Sequence, residues 1–182
     1  TDAYVSENST ANPVTTGGVT LPPHSLYVCV NGGLDTDVAL AIMRKKTPGC
    51  ASVGTSSVVV ADPNAAYAKH PQYTVQFTRA QATPVYVAVV LAGGASVPST
   101  AVADVQAALV AGFEGATGTQ RVPIGGTVYA SNFYSSVSSV GDWVKIVGIT
   151  VGLAAQPVAS TVQVNIDQIP VVSAATIAVQ VL

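Results

Sequence analysis

Two histidines, two cysteines and nine carboxylates are the groups through which this 182-residue chain could do acid–base, nucleophilic or metal chemistry. His24 follows Pro22-Pro23 and His70 precedes Pro71, so both fall in loops. Neither has a Cys, His, Asp or Glu at a metal-ligand spacing, and a capping or surface role is the simpler reading. Asp35 and Asp37 form an Asp-x-Asp within Asn31-Gly32-Gly33-Leu34-Asp35-Thr36-Asp37, but the later ligands and closing Glu of a calcium loop are missing. Helix capping explains the pair better. Cys29 lies in an apolar run and reads as core; Cys50 reads as core or exposed, and neither has the basic neighbours in sequence that lower a thiol pKa. A Cys29–Cys50 bridge is left open, with nothing in the sequence to support it. The pairs Gly32-Gly33 and Gly93-Gly94 fit neither phosphate-loop pattern and read as strand-end turns. Arg44-Lys45-Lys46 lacks interleaved aromatics, and a helix end accounts for it better than a nucleic-acid contact or a charged patch for a partner. The only glutamates are Glu7 and Glu114, so paired carboxylates for glycoside chemistry would have to come from scattered Asp. On these grounds no catalytic, cofactor-binding or metal-ligating residue is assigned, and no enzyme is expected.

The elements that hold these residues follow from the apolar pattern. Thr1–Pro22 mixes Thr, Ser, Asn, Gly and Pro without a sustained period and reads as an irregular arm or linker. Ser25–Val30 reads as a buried strand ending at Gly32-Gly33. A helix then runs to Lys46 with Asp35 as N-cap, Leu34, Val38, Ala41 and Ile42 on one face, and Thr47-Pro48-Gly49 as its stop. Strands follow at Ser57–Ala61 and Tyr73–Arg79. Pro84–Leu91 is a further strand, and beyond Pro98 a helix carries Val102, Val105, Leu109 and Phe113 on its inner stripe. Strand, Gly-Gly and helix thus occur twice, which leaves two related modules and coincidence both open. The spacing of Val128, Tyr129, Phe133 and Val137 within Thr127–Ser139 fits a short helix, and strands at Trp143–Val151, Thr161–Asp167 and Ala175–Leu182 close the chain. The expected class is α+β, with about seven strands and three helices. The expected organisation is an arm over 1–22 and two small subdomains, 23–81 and 82–182.

Composition narrows the function classes. Hydrophobic residues make up 49% and charged residues 9%, against roughly 25% charged in ordinary soluble domains. Disorder is excluded on that count. Seven Lys and Arg against nine Asp and Glu leave no surplus to neutralise phosphates, so nucleic acid is not an expected partner. The longest apolar run, Val85–Ala92, is far short of the roughly 20 residues of a bilayer helix, and no membrane partner is expected. No charged-then-apolar leader opens the chain, and its Thr1 start reads as that of a fragment or a processed end. A surface this short of charge must be built from Ser, Thr, Ala, Gly and Val. Such a surface suits lasting contact with other subunits, because uncharged groups cost little to desolvate. A wet Ser/Thr face without a partner is the competing reading.

From about Gly18 onward the sequence resembles the C-terminal part of the baseplate J-like family of contractile-tailed bacteriophages. The resemblance is carried by Val19-Thr20-Leu21-Pro22-Pro23-His24-Ser25-Leu26-Tyr27-Val28, then Val30-Asn31-Gly32-Gly33. It continues in Val38-Ala39-Leu40-Ala41-Ile42-Met43-Arg44-Lys45-Lys46-Thr47-Pro48-Gly49-Cys50 and in Tyr73-Thr74-Val75-Gln76-Phe77-Thr78-Arg79. Later pieces are Ile124-Gly125-Gly126-Thr127-Val128-Tyr129-Ala130-Ser131 and Ile166-Asp167-Gln168-Ile169-Pro170. The helix with Lys45-Lys46-Thr47-Pro48-Gly49-Cys50 is the most specific part. The resemblance implies a structural wedge subunit of the tail baseplate, located in the virion and assembled in the host bacterial cytoplasm. It implies other wedge and hub proteins as partners, with self-association left open, and brings no catalytic residues and no cofactor. Two alternatives from other classes stand beside it. A virion-surface or secreted binding module would need an aromatic-lined site, from an aromatic share of 6% and a single Trp143. A small-molecule enzyme would need groups such as His24, His70 and the Asp residues to converge in three dimensions.

Overall fold

A computed structural model describes residues 1–47, 49–116 and 121–182; Pro48, expected to help stop the first helix, lies outside them. The fold is mixed, with three α-helices and fourteen strands among the described residues. That is twice the strand number expected, because the sequence pattern registers long apolar strands and passes over short polar ones. The chain forms two compact units, residues 1–81 with 165–169, and residues 82–164 with 170–182. Residues 165–169, expected in the second subdomain, therefore belong to the first unit.

The first unit holds a five-stranded sheet. Its strands are β1 (Asp2–Asn8), β4 (Ser25–Asn31), β5 (Ala51–Val53), β6 (Ser56–Ala61) and β7 (Gln72–Arg79). The order is β1-β4-β7-β6, with β5 beside the start of β4. The expected irregular arm is in fact structured: β1 pairs antiparallel with β4 from Asp2↔Asn31 to Asn8↔Ser25. Its residues alternate between half-buried Asp2, Tyr4 and Ser6 and exposed Ala3, Val5 and Glu7. β2 (Val14–Thr16) and β3 (Val19–Leu21) form a hairpin. The two turn residues, Gly17 and Gly18, have φ of 49° and 83°, the left-handed pair that a tight hairpin turn demands. Helix α1 (Asp35–Lys45) connects β4 to the parallel β5. It covers one face of the sheet, where Ala39 and Ile42 meet Val28, Val30, Val60, Val75 and Phe77. Leu34 and Ala41, expected on that inner face, are exposed; Val38 and Ile42 pack there as expected, joined by the half-buried Leu40 and Met43.

In the second unit β9 (Tyr86–Leu91) is central, flanked by antiparallel β11 (Ile146–Gly152) and parallel β14 (Ile177–Val181). Val87, Val89 and Leu91 point inward from β9 and meet Val105, Leu109 and Phe113 of α2 (Ala101–Phe113). Val102, expected on the inner stripe, is 42% exposed, and Ala101 is buried in its place. The stretch expected as one helix over Thr127–Ser139 divides into β10 (Thr127–Tyr129), a 3-10 turn (Ala130–Phe133) and the short α3 (Tyr134–Ser138). β10 pairs with β12 (Thr161–Gln163). β12 stops at Gln163, four residues before the expected end, because the chain turns at Asn165, whose carbonyl accepts from Gln168 N at 2.9 Å. The remaining strands, β8 (Gln81–Pro84) and β13 (Gln168–Val171), carry the chain from one unit to the other. The two strand–Gly-Gly–helix segments lead into differently ordered sheets, β1-β4-β7-β6 and β11-β9-β14.

Candidate functional site

Arg79 makes four directed hydrogen-bond contacts, and sequence reasoning passed over it as a strand residue. From the end of β7 its Nη1 donates to Gly32 O at 2.6 Å and its Nη2 to Gly33 O at 2.9 Å. Its Nε donates to Asp35 Oδ1 at 3.0 Å, and the same carboxylate takes Nη2 in an ion pair. The guanidinium also lies 5.2 Å from the Phe77 ring centroid, within cation–π range. Gly32 and Gly33 have φ of 85° and 76°, so the turn between β4 and α1 bends in the left-handed region and aims both carbonyls at one point. Five donors in a planar fork match that set of acceptors. Asp35 is therefore not the N-cap: Leu34 holds that position with extended backbone and no side-chain cap, and Asp35 is spent on Arg79. Asp37 lies exposed in the same first turn.

Asn8 is a second unforeseen node. Buried at 3% exposure, its Nδ2 donates to the carbonyls of Asn12, Leu21 and Pro22 at 2.8, 3.0 and 2.8 Å. Its Oδ1 accepts from Thr10 N at 3.0 Å and Thr10 Oγ1 at 2.8 Å. Both contact sets are long-range or loop-borne, and local spacing gives no signal for either.

Beneath the other face of the sheet lie Tyr27, Cys29 and, from the returning segment, Asp167. The Cys29 side chain is fully enclosed and Tyr27 nearly so. Burial pushes the Cys29 thiol up to about 11 and the Tyr27 hydroxyl up to about 12, because the charged forms would lose their water. Thr78 and the Cys29 thiol flank the Tyr27 hydroxyl, yet among the described residues no hydrogen bond of normal geometry reaches it, nor Asp167 Oδ1. A thiol held protonated is a poor nucleophile. Cys29 is core, as the sequence indicates, and both cysteines are free.

The remaining candidates are dispersed over the first unit's surface. His24 sits at the turn before β4 with φ of 51°. Its N donates to Thr10 O at 3.3 Å and its carbonyl accepts from Ala51 N at 3.2 Å, a backbone role. With Glu7, Asn8, Ser9, Thr47, Gly49 and Cys50 it lines a shallow cavity of about 270 Å³. His70 is exposed in the loop before β7. Arg44 and Lys45 close α1, and Lys46 caps it while its Nζ donates to the Cys50 carbonyl. A second cavity, of about 470 Å³, lies beside Met43, Arg44, Lys46, Asp62 and Tyr73. In the second unit Glu114 is the C-cap of α2, and Trp143, expected to open a strand, instead packs on the core before β11. Gln106 of α2 donates through Nε2 to Ile177 O at 2.9 Å and Ala174 O at 3.3 Å, tying the helix to the start of β14.

Among the described residues no three His, Cys, Asp or Glu stand close enough to hold a metal ion, and no helix is long and apolar enough to cross a membrane. No protein-family model matches the chain, and no curated protein matches it in sequence. What the geometry assembles is bracing: Arg79 on the β4–α1 turn, Asn8 on the N-terminal loops, Gln106 on β14.

Proposed function

We propose that this chain is a structural wedge subunit of a contractile phage tail baseplate. The observation that carries the reading is the resemblance running from Val19 to Pro170, centred on the helix and Lys45-Lys46-Thr47-Pro48-Gly49-Cys50. Three physical features support it. The polar side chains with the most contacts brace turns, loops and a strand start. Val occupies 33 of 182 positions, which favours strands and stiff side chains. Val5, Val59, Val147, Leu153 and Val158 are exposed, uncharged groups that neighbouring subunits desolvate at little cost.

The reading places the protein in the virion, against other wedge and hub proteins, with no catalytic step of its own. Deleting its gene in the native genome tests this. Lysates should then contain heads and unattached or baseplate-less tails by negative-stain electron microscopy, with restoration by the gene in trans. Intact contractile tails in the deletion strain would refute it.

A further inference from the structure

We propose that the outer edge of β6 is a strand-addition site whose occupant is β6 of a second copy, paired antiparallel about a two-fold axis at Val59. This does not rest on the baseplate reading. The phase of the backbone comes from Asp62 N donating to Pro71 O at 2.9 Å, in line with the register from Ser56↔Phe77 to Ala61↔Gln72. Ser56, Val58 and Val60 therefore exchange their hydrogen bonds with β7, while Ser57, Val59 and Ala61 turn N–H and C=O away from it. β6 ends the strand order, so those groups line an open edge. No hydrogen bond from the described residues reaches them.

Natural sheets guard such edges with charge, Pro, bulges or a covering segment. Ser56-Ser57-Val58-Val59-Val60-Ala61 has none of these: it carries no charge, Pro or Gly, and its register is unbroken. The other edges differ. β1 carries Asp2 and Glu7, β11 is bridged by Ala159 at Val151, and Gln106 occupies the Ile177 carbonyl of β14.

Self-complementarity selects the occupant. In an antiparallel pair centred on Val59, Ser57 faces Ala61 of the second copy and Val59 faces Val59, so no like charges meet. Helix α1 packs over β6 and β7 alike and, as the crossover from β4 to parallel β5, runs along the strands. The two-fold axis would set the two α1 helices antiparallel about two strand spacings, roughly 10 Å, apart, the ordinary distance of packed helices. Asp35 and Asp37 in the first turn of one helix would then lie beside Arg44 and Lys45 in the last turn of the other. An arbitrary extended peptide would gain the main-chain bonds but not this match of charge.

Sedimentation velocity of the full chain from low to high micromolar concentration is the test, with Val59→Pro, Val59→Lys and, as a control on another exposed valine, Val147→Lys. The N–H that Val59→Pro removes makes no bond within the sheet, so the variant should fold with an unchanged circular dichroism spectrum. The expected result is a reversible dimer, weakened at least about tenfold by either Val59 change and unaffected by Val147→Lys. In a Cys50→Ser background, Val59→Cys should cross-link to a dimer under mild oxidation, since directly paired residues bring Cα atoms to about 5.5 Å. Should Val59→Pro fail to fold, Val59→Lys and the cross-link still decide. A monomer at all concentrations without cross-linking, or a dimer indifferent to both Val59 changes, overturns the proposal.

Discussion

Asn8 holds three carbonyls and a threonine in place from one buried side chain. Removing it takes a donor from the buried Leu21 carbonyl, a loss costing about 1–3 kcal/mol, and unties the partly buried carbonyls of Asn12 and Pro22 as well. Asn8→Ala should therefore lower stability by about 2–4 kcal/mol in urea titration, whereas Thr10→Ala, which deletes one of the partners, should cost clearly less. Tyr27 and Cys29 make a pH prediction. Their folded pKa values of about 12 and about 11 lie above the ordinary 10.0 and 9.0. Between the ordinary and the raised value the unfolded chain releases a proton that the folded chain keeps. The contribution of these two groups should thus be fully present below pH about 9 and be lost as pH rises, first through Cys29 and then through Tyr27, by up to about 1.4 kcal/mol per pH unit per group. Cys29→Ala should delay the onset of that fall by roughly one pH unit in melts taken from pH 7 to 11; an unchanged onset would show the thiol is not the group responsible.

At the scale of elements, the turn between β4 and α1 is fixed by Arg79, which reaches two carbonyls and a carboxylate together. Lys offers a point charge that cannot span the three acceptors. Arg79→Lys should then cost about 1–2 kcal/mol and broaden the amide signals of Gly32 and Gly33. The ion pair alone is partly exposed and contributes well under that, so Asp35→Asn should be the milder change. Lys45→Gln at the exposed end of α1 should shift stability by no more than about 1 kcal/mol and leave DNA affinity negligible at physiological salt.

The same elements show what could be read in the sequence. β4 and β9 were legible as unbroken apolar runs ending at Gly-Gly, and α1 by its apolar spacing and basic last turn. β1 was not, because a strand whose inner face is Asp2, Tyr4 and Ser6 has no hydrophobic alternation to detect. The β2–β3 hairpin did leave a signal, Gly17-Gly18 between Val-Thr-Thr and Val-Thr-Leu, which the surrounding polar residues obscured. Arg79 and Asn8 were invisible, since their partners are far along the chain or lie in loops. The placement of 165–169 in the first unit depends on contacts such as Ile166 N to Gly17 O at 3.0 Å, which no local pattern encodes.

For the molecule as a whole, low charge, stiff strands and braced turns fit a part whose work is to be held and to hold. On the proposed reading the isolated chain should be a monomer or a small, concentration-dependent oligomer by light scattering, and should become a defined complex only beside the wedge proteins that the proposal names as partners, burying upward of about 1,600 Å². A stable closed ring from this chain alone would speak against a wedge subunit. The most direct test of the central claim is location: electron microscopy of phage tails decorated with gold-labelled antibody raised against this chain. The account predicts gold at the baseplate, at the end of the tail tube and away from the fibre tips. Gold confined to the fibre tips, or tails that carry none, would contradict it.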